Sequence, residues 1–166
     1  EDVPGYPRLL LVSDAAVNLR PDLDTLRDIV QNAIDLAHAI GIERPKVALL
    51  SAVETVTEDI PSTVAAREIR DMADRGEIIG ADVDGPFAMD NAVFEGAARI
   101  KGITSPIAGR ADILIAPDLE AGNILAKIAL GARVPIALTS RADSARERRA
   151  SAALAVLVAP QNRRGE

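Results

Sequence analysis

The chain contains no cysteine. That excludes a disulfide framework, a thiolate nucleophile and a cysteine-ligated metal. It contains one histidine, His38, which excludes a multi-histidine metal site. Aromatic residues make up only 2% of the chain, so its core must be built from Ala, Val, Ile and Leu. Such small side chains suit close packing of helices on a sheet. No apolar run reaches the roughly 20 residues that span a bilayer, and no secretory signal is visible. A cytoplasmic protein is the expectation, with no membrane partner. The net charge of −6 argues against non-specific nucleic-acid binding, which needs clustered Lys and Arg. Neither a Gly-x-Gly-x-x-Gly run nor a Walker loop occurs, so a nucleotide-binding reading is weak.

What the chain does have is 166 residues, 48% of them hydrophobic, enough for one domain with a substantial core. Short apolar runs alternate with helical patterns. Leu9-Leu10-Leu11-Val12, Val47-Ala48-Leu49-Leu50, Ile79 to Val83, Ile113-Leu114-Ile115 and Val134 to Leu138 read as strands. They are continuous rather than alternating, as strands buried on both faces are. Leu26, Ile29, Val30, Ala33, Ala37 and Ile40 recur at helical spacing after Pro21-Asp22, with Gly41 as the stop. Ser62 can cap a helix stopping at Gly76, and Asp90 one ending near Gly102. Ser144 with Glu147 forms a capping box before Ala152 to Ala159. This alternation predicts an α/β fold: an open, mostly parallel sheet with helices on both faces. The chain opens at Glu1-Asp2-Val3-Pro4 without an initiator Met and enters a strand at once. It reads as the interior of a longer polypeptide, with residues 1–160 as the α/β region and 161–166 as a polar tail.

In such a sheet, ligands gather at the carboxyl ends of the strands. The segments following the five runs are Ser13-Asp14 to Asn18, Ser51 to Thr55, Asp84-Gly85-Pro86 with Asp90 close behind, Pro117-Asp118 to Gly122-Asn123, and Thr139-Ser140-Arg141-Ala142-Asp143. Each also has a structural explanation as turn chemistry or a cap. Gly122-Asn123 can admit a left-handed turn, Asp84-Gly85-Pro86 a tight turn, and Glu147 the capping box. His38, one position past Ala37, reads as a partly buried helix residue rather than a ligand.

Ser140-Arg141 carries the sharpest signal. An arginine directly after a buried strand presents a fork of donors at the ligand end of the sheet. It matches phosphate bidentately and keeps its charge. The helix beginning near Ser144 adds backbone donors and a positive dipole end, and Ser140 adds a hydroxyl. The competing reading is a surface ion pair with Asp143.

Five segments, in order, resemble the phosphate acetyl/butyryltransferase family: Asp14-Ala15-Ala16 with Asn18 and Pro21-Asp22, KVALLSAVET over residues 46–55, Asp84-Gly85-Pro86 with Asp90, Ser105-Pro106-Ile107-Ala108-Gly109 through Asn123, and PIALTSRAD over residues 135–143. The wording is closer to the butyryltransferase-like branch. The resemblance implies reversible acyl transfer between CoA and inorganic phosphate, with acyl-CoA and phosphate as small-molecule substrates. It implies a fold similar to isocitrate and isopropylmalate dehydrogenases, two α/β domains flanking a cleft, a homodimer, and no cofactor or metal. Ser140 and Arg141 would hold the acyl phosphate. Glu147 or Asp143 would be the base for the CoA thiol. Gly122, Asn123, Ser51 and Asp84 would line the substrate pocket. Two departures stand out. The family's N-terminal segment, with further anion-binding arginines, precedes the point where this chain begins. Roughly a dozen residues are also missing after Asn123, near Lys127. The alternative is a non-catalytic acyl-CoA-binding regulatory domain of a larger fusion enzyme.

Overall fold

The computed structural model describes residues 9–131. Their first strand, β1 (Leu11–Ser13), leads to helix α1 (Leu23–Ala39), and β2 (Lys46–Leu50) leads to α2 (Pro61–Asp74). β3 (Asp82–Phe87) follows, then two short helices, α3 (Met89–Val93) and α4 (Glu95–Ile100). β4 (Ile113–Ile115) and α5 (Leu119–Gly131) complete the order. The strands form one sheet, ordered β1-β4-β2-β3, in which every pairing is parallel. The expected α/β architecture is therefore present.

The unbroken apolar runs have a direct cause. Val47 and Leu49 of β2 join Ile113 and Ile115 of β4 in a core beneath α1 and α2. The intervening Ala48, Leu50 and Leu114 face a second core with Phe87, Ala92, Ile107 and Ala111. Side chains alternate between faces, and both faces are covered, so no position within the runs 47–50 and 113–115 is free to be polar. Fully burying Ile113 and Leu114 contributes about 1.5–3 kcal/mol each. The second core relies on alanine, and this brings α3 close to the sheet.

Helix α1 and its stop are where the spacing places them, with Ile40 as the cap rather than part of the buried stripe. The Asp22 carboxylate accepts from the Thr25 N–H at 2.8 Å, and the apolar stripe is buried. Gly41 takes φ +93° just past the helix, where a side chain would be strained.

Five expectations change. The third strand begins at Asp82 rather than Ile79. Gly80 at φ +85° breaks the extended run, and Ile79 is exposed. Asp84-Gly85-Pro86 therefore lies inside β3 rather than after it. Among the described strands β3 is an edge, where a proline's missing N–H removes no ladder bond. The register shift between Ala48 and Leu50 accommodates the extra residue.

Ser62 does not cap α2. The cap is Ile60, with no side-chain bond, and Pro61 occupies the first turn, where its lack of an N–H is harmless. Asp90 does not begin one long helix. Phe94, at φ −130° and ψ 108°, splits the segment into α3 and α4. Asp118 and not a left-handed turn shapes the exit from β4. Its carboxylate accepts from the Ala121 N–H at 2.8 Å, so α5 starts at Leu119 and contains Gly122-Asn123. His38 lies in the last turn of α1 as read, but it is exposed. Its Nε2 pairs with the Gly80 carbonyl at 2.8 Å. The expected strand from Val134 to Leu138 and the helix near Ala152 to Ala159 lie outside the described residues.

Candidate functional site

The carboxyl ends of β1, β4 and β2 lie side by side. The chain leaves β1 and β2 toward the face covered by α1 and α2. It leaves β4 toward the opposite face, where Leu125 of α5 packs. Such a change of direction opens a crevice beyond the strand ends, the usual ligand position of an open parallel sheet.

The walls of that crevice are tied together. The Ala116 N–H donates to the Ser13 carbonyl at 2.7 Å, and the Leu119 N–H to the Leu19 carbonyl at 3.1 Å. The Asp14 carboxylate accepts from the Asn18 N–H at 2.8 Å and from the Asn18 side chain, closing the turn after β1. Gly122 sits against this turn. A Cβ on it would come within 2.3 Å of the Asp14 carbonyl oxygen. Glycine is therefore needed here for close approach rather than for φ. Between the strand ends and the first turns of α1 and α2 lies a cavity of about 30 Å³, lined by Pro21, Leu49, Leu50, Ser62, Ala116 and Pro117 among others. That is room for about one water molecule.

Ser51 follows β2, next in the chain to Leu50 of the cavity wall. Its N–H donates to the Phe87 carbonyl at 2.8 Å, and its hydroxyl pairs with that of Ser62 at 2.7 Å. Ser51, Gly122 and Asn123 thus share the carboxyl edge. Asp84 does not join them. It pairs with Ala48 in mid-sheet. Its carboxylate accepts from the Ser105 hydroxyl at 2.6 Å and from the Gly85 N–H at 2.8 Å, and Arg70 stands 3.9 Å away. Ser140, Arg141, Asp143 and Glu147 lie outside the described residues.

One cluster went unread in the sequence. Glu54, three residues past Ser51, accepts from the Asn91 amide nitrogen and from the Lys101 ammonium, the latter at 2.7 Å. Lys101 also lies 3.6 Å from Asp90. The bond from Lys101 holds the Glu54 carboxyl below its ordinary pKa, against the opposing effect of partial burial. Lys101 is raised in turn, chiefly by the same bond. No local pattern links residues 47 positions apart; a lone lysine after a short helix is the only trace.

Among the described residues, no group of three His, Asp or Glu side chains is placed to hold a metal ion. No described helix is long and apolar enough to cross a membrane.

Residues 4–156 match the family model described as phosphate acetyl/butaryl transferase. The chain is 58% identical to a phosphate acetyltransferase of Rhizobium meliloti, over 98% of this chain and 55% of the relative. It is 48% identical to a probable phosphate butyryltransferase of Bacillus subtilis, over 93% of this chain and 56% of that one. Among solved structures, a branched-chain phosphotransacylase from Enterococcus faecalis superposes with a TM-score of 0.69 at 36% identity. That match covers 87% of this chain and 58% of the other. The chain thus spans about half the length of the curated relatives it matches. On the match over residues 4–156, it belongs to the phosphate acetyl/butaryl transferase family.

Proposed function

We propose that the chain is the acyl-phosphate-binding part of an enzyme that moves an acyl group reversibly between CoA and inorganic phosphate. The observation that carries this reading is the 58% identity to a phosphate acetyltransferase, with the motif segments Ser13 to Asn18, Ser51 and Pro117 to Asn123 gathered at one sheet edge.

In the direction of acyl-CoA synthesis, a carboxylate takes the proton of the CoA thiol. The thiolate attacks the acyl carbonyl, the C–O bond to phosphate breaks, and inorganic phosphate leaves. Arg141 binds the phosphoryl group and stabilises the charge that develops there. Ser140 orients the carbonyl or phosphate, and Glu147 or Asp143 is the base. Ser51, Gly122 and Asn123 line the pocket. Asp84, whose carboxylate is already engaged by Ser105 and Gly85, supports the wall from behind. We further assign residues 1–160 to one α/β half of a two-domain, dehydrogenase-like cleft, with 161–166 as a tail, in a cytoplasmic homodimer without cofactor.

The test is phosphate-dependent loss of acetyl-CoA or butyryl-CoA with the complete polypeptide. Arg141→Ala is expected to lower kcat by about 10²–10³, the scale of losing a preorganised charge-stabilising donor, with an unchanged unfolding midpoint. Near-normal turnover in that variant would overturn the site. A second reading, an acyl-CoA-binding regulatory domain, draws on one observation. The match to the R. meliloti enzyme runs over 174 positions, more than the 166 residues of this chain, so that relative has residues with no counterpart here. Binding of acyl-CoA without turnover would favour it.

A further inference from the structure

We infer that Glu54, clamped between Asn91 and Lys101, is a positioning residue that fixes the loop after β2, and with it Ser51, against the substrate cleft. This rests on the acyltransferase reading of the same edge.

The loop over residues 51–60 has two anchors. Its far half is held by Thr63, which is fully buried. The Thr63 hydroxyl accepts from the Thr57 N–H at 2.9 Å and lies 2.8 Å from the Thr57 and Ile60 carbonyls. Its near half is held through Glu54. Glu54 is bound from one element by Asn91 in α3 and from another by Lys101, just past α4. Asn91 is itself a junction. Its N–H donates to the Ala88 carbonyl at 3.1 Å, and its carbonyl accepts from the Gly109 N–H at 2.7 Å. The clamp thus joins the exits of β2 and β3 to the approach to β4.

The cost of this arrangement is visible. Asn91 is fully buried, and its side-chain oxygen has no hydrogen-bond partner among the described residues. Buried amides seldom forgo a bond. Turning the amide over would satisfy nothing, since its oxygen would then face the Glu54 carboxylate. The side chain forgoes one bond and thereby points its N–H₂ at Glu54. The buried amide is explained by a need to hold a carboxylate in one place at the cleft rim.

The experiment uses the full-length protein with acetyl-CoA, butyryl-CoA and phosphate. Lys101→Met and Glu54→Ala each break the clamp but change the net charge in opposite directions. Both are expected to raise KM for acyl-CoA by about tenfold while kcat stays within about threefold, the mark of lost ground-state positioning. Lys101→Arg restores the ordinary KM. Arg44→Met, which breaks the Arg44–Asp82 pair at the opposite end of the sheet, leaves KM unchanged. A rise in KM for Lys101→Met with a fall for Glu54→Ala would mean simple charge attraction and overturn the clamp. So would unchanged kinetics in both variants beside an active parent. An inactive parent overturns the acyltransferase reading itself and the positioning role with it.

Discussion

Gly122→Ala offers the sharpest test of how the cleft is assembled. The substitution adds one methyl group to the first turn of α5. In an isolated helix it would stabilise by about 1 kcal/mol, because alanine is the better helix former. Here the added carbon falls 2.3 Å from the Asp14 carbonyl oxygen, 3.1 Å from the Ala15 Cα and 3.2 Å from the Ala116 Cβ. An ordinary C···O approach is about 3.3 Å, so roughly 1 Å of movement is required. Two of the three neighbours are backbone, and none is the tip of a flexible side chain. The turn they belong to is held by Asn18 and the sheet. Overpacking of this kind costs about 1–3 kcal/mol and sometimes more. With immobile neighbours the upper end applies, leaving a net loss of about 2 kcal/mol after the helix gain. For a domain of this size that is a fall in Tm of about 4–8 °C, read by thermal unfolding followed by circular dichroism. Gly96→Ala is the control. Its added carbon meets the Phe94 ring at 2.7 Å, but that side chain is 61% exposed and can turn away. Its Tm should stay level or rise. A Gly122→Ala protein as stable as its parent would refute the close approach of α5 to the turn after β1.

Thr63→Val keeps the shape of a fully buried side chain but leaves the Thr57 N–H without its acceptor, so a loss of about 1–3 kcal/mol is expected from urea unfolding. Glu54 is held below its ordinary pKa, so the unfolded chain takes up its proton more readily than the folded one. The stability it contributes is complete above about pH 4.5 and is lost as pH falls through the lowered value. The gap in unfolding midpoint between the parent and Lys101→Met should therefore be present at neutral pH and close in acid; a gap that widens in acid would contradict the pairing.

The layers of the fold were legible in the chain alone. Runs such as Val47-Ala48-Leu49-Leu50 and Ile113-Leu114-Ile115 carry no polar position because both faces of the sheet are covered, and that fact is local. So is the Gly41 stop of α1, which follows from short-range backbone chemistry. The motif segments likewise pointed to the carboxyl edge, where Ser51 and the first turn of α5 stand. Where strand ends fall on an edge, and what meets across elements, depends on long-range packing. Asp84-Gly85-Pro86 has turn chemistry, yet it lies within β3 because an edge strand tolerates proline and a shifted register. Gly122 looked like a turn glycine and is a contact glycine, since the Asp14 carbonyl that demands it lies more than a hundred residues earlier. Glu54, Asn91 and Lys101 carry no mutual periodicity at all. Periodicity records which face of an element is buried; it holds no record of which distant side chain completes a hydrogen bond there.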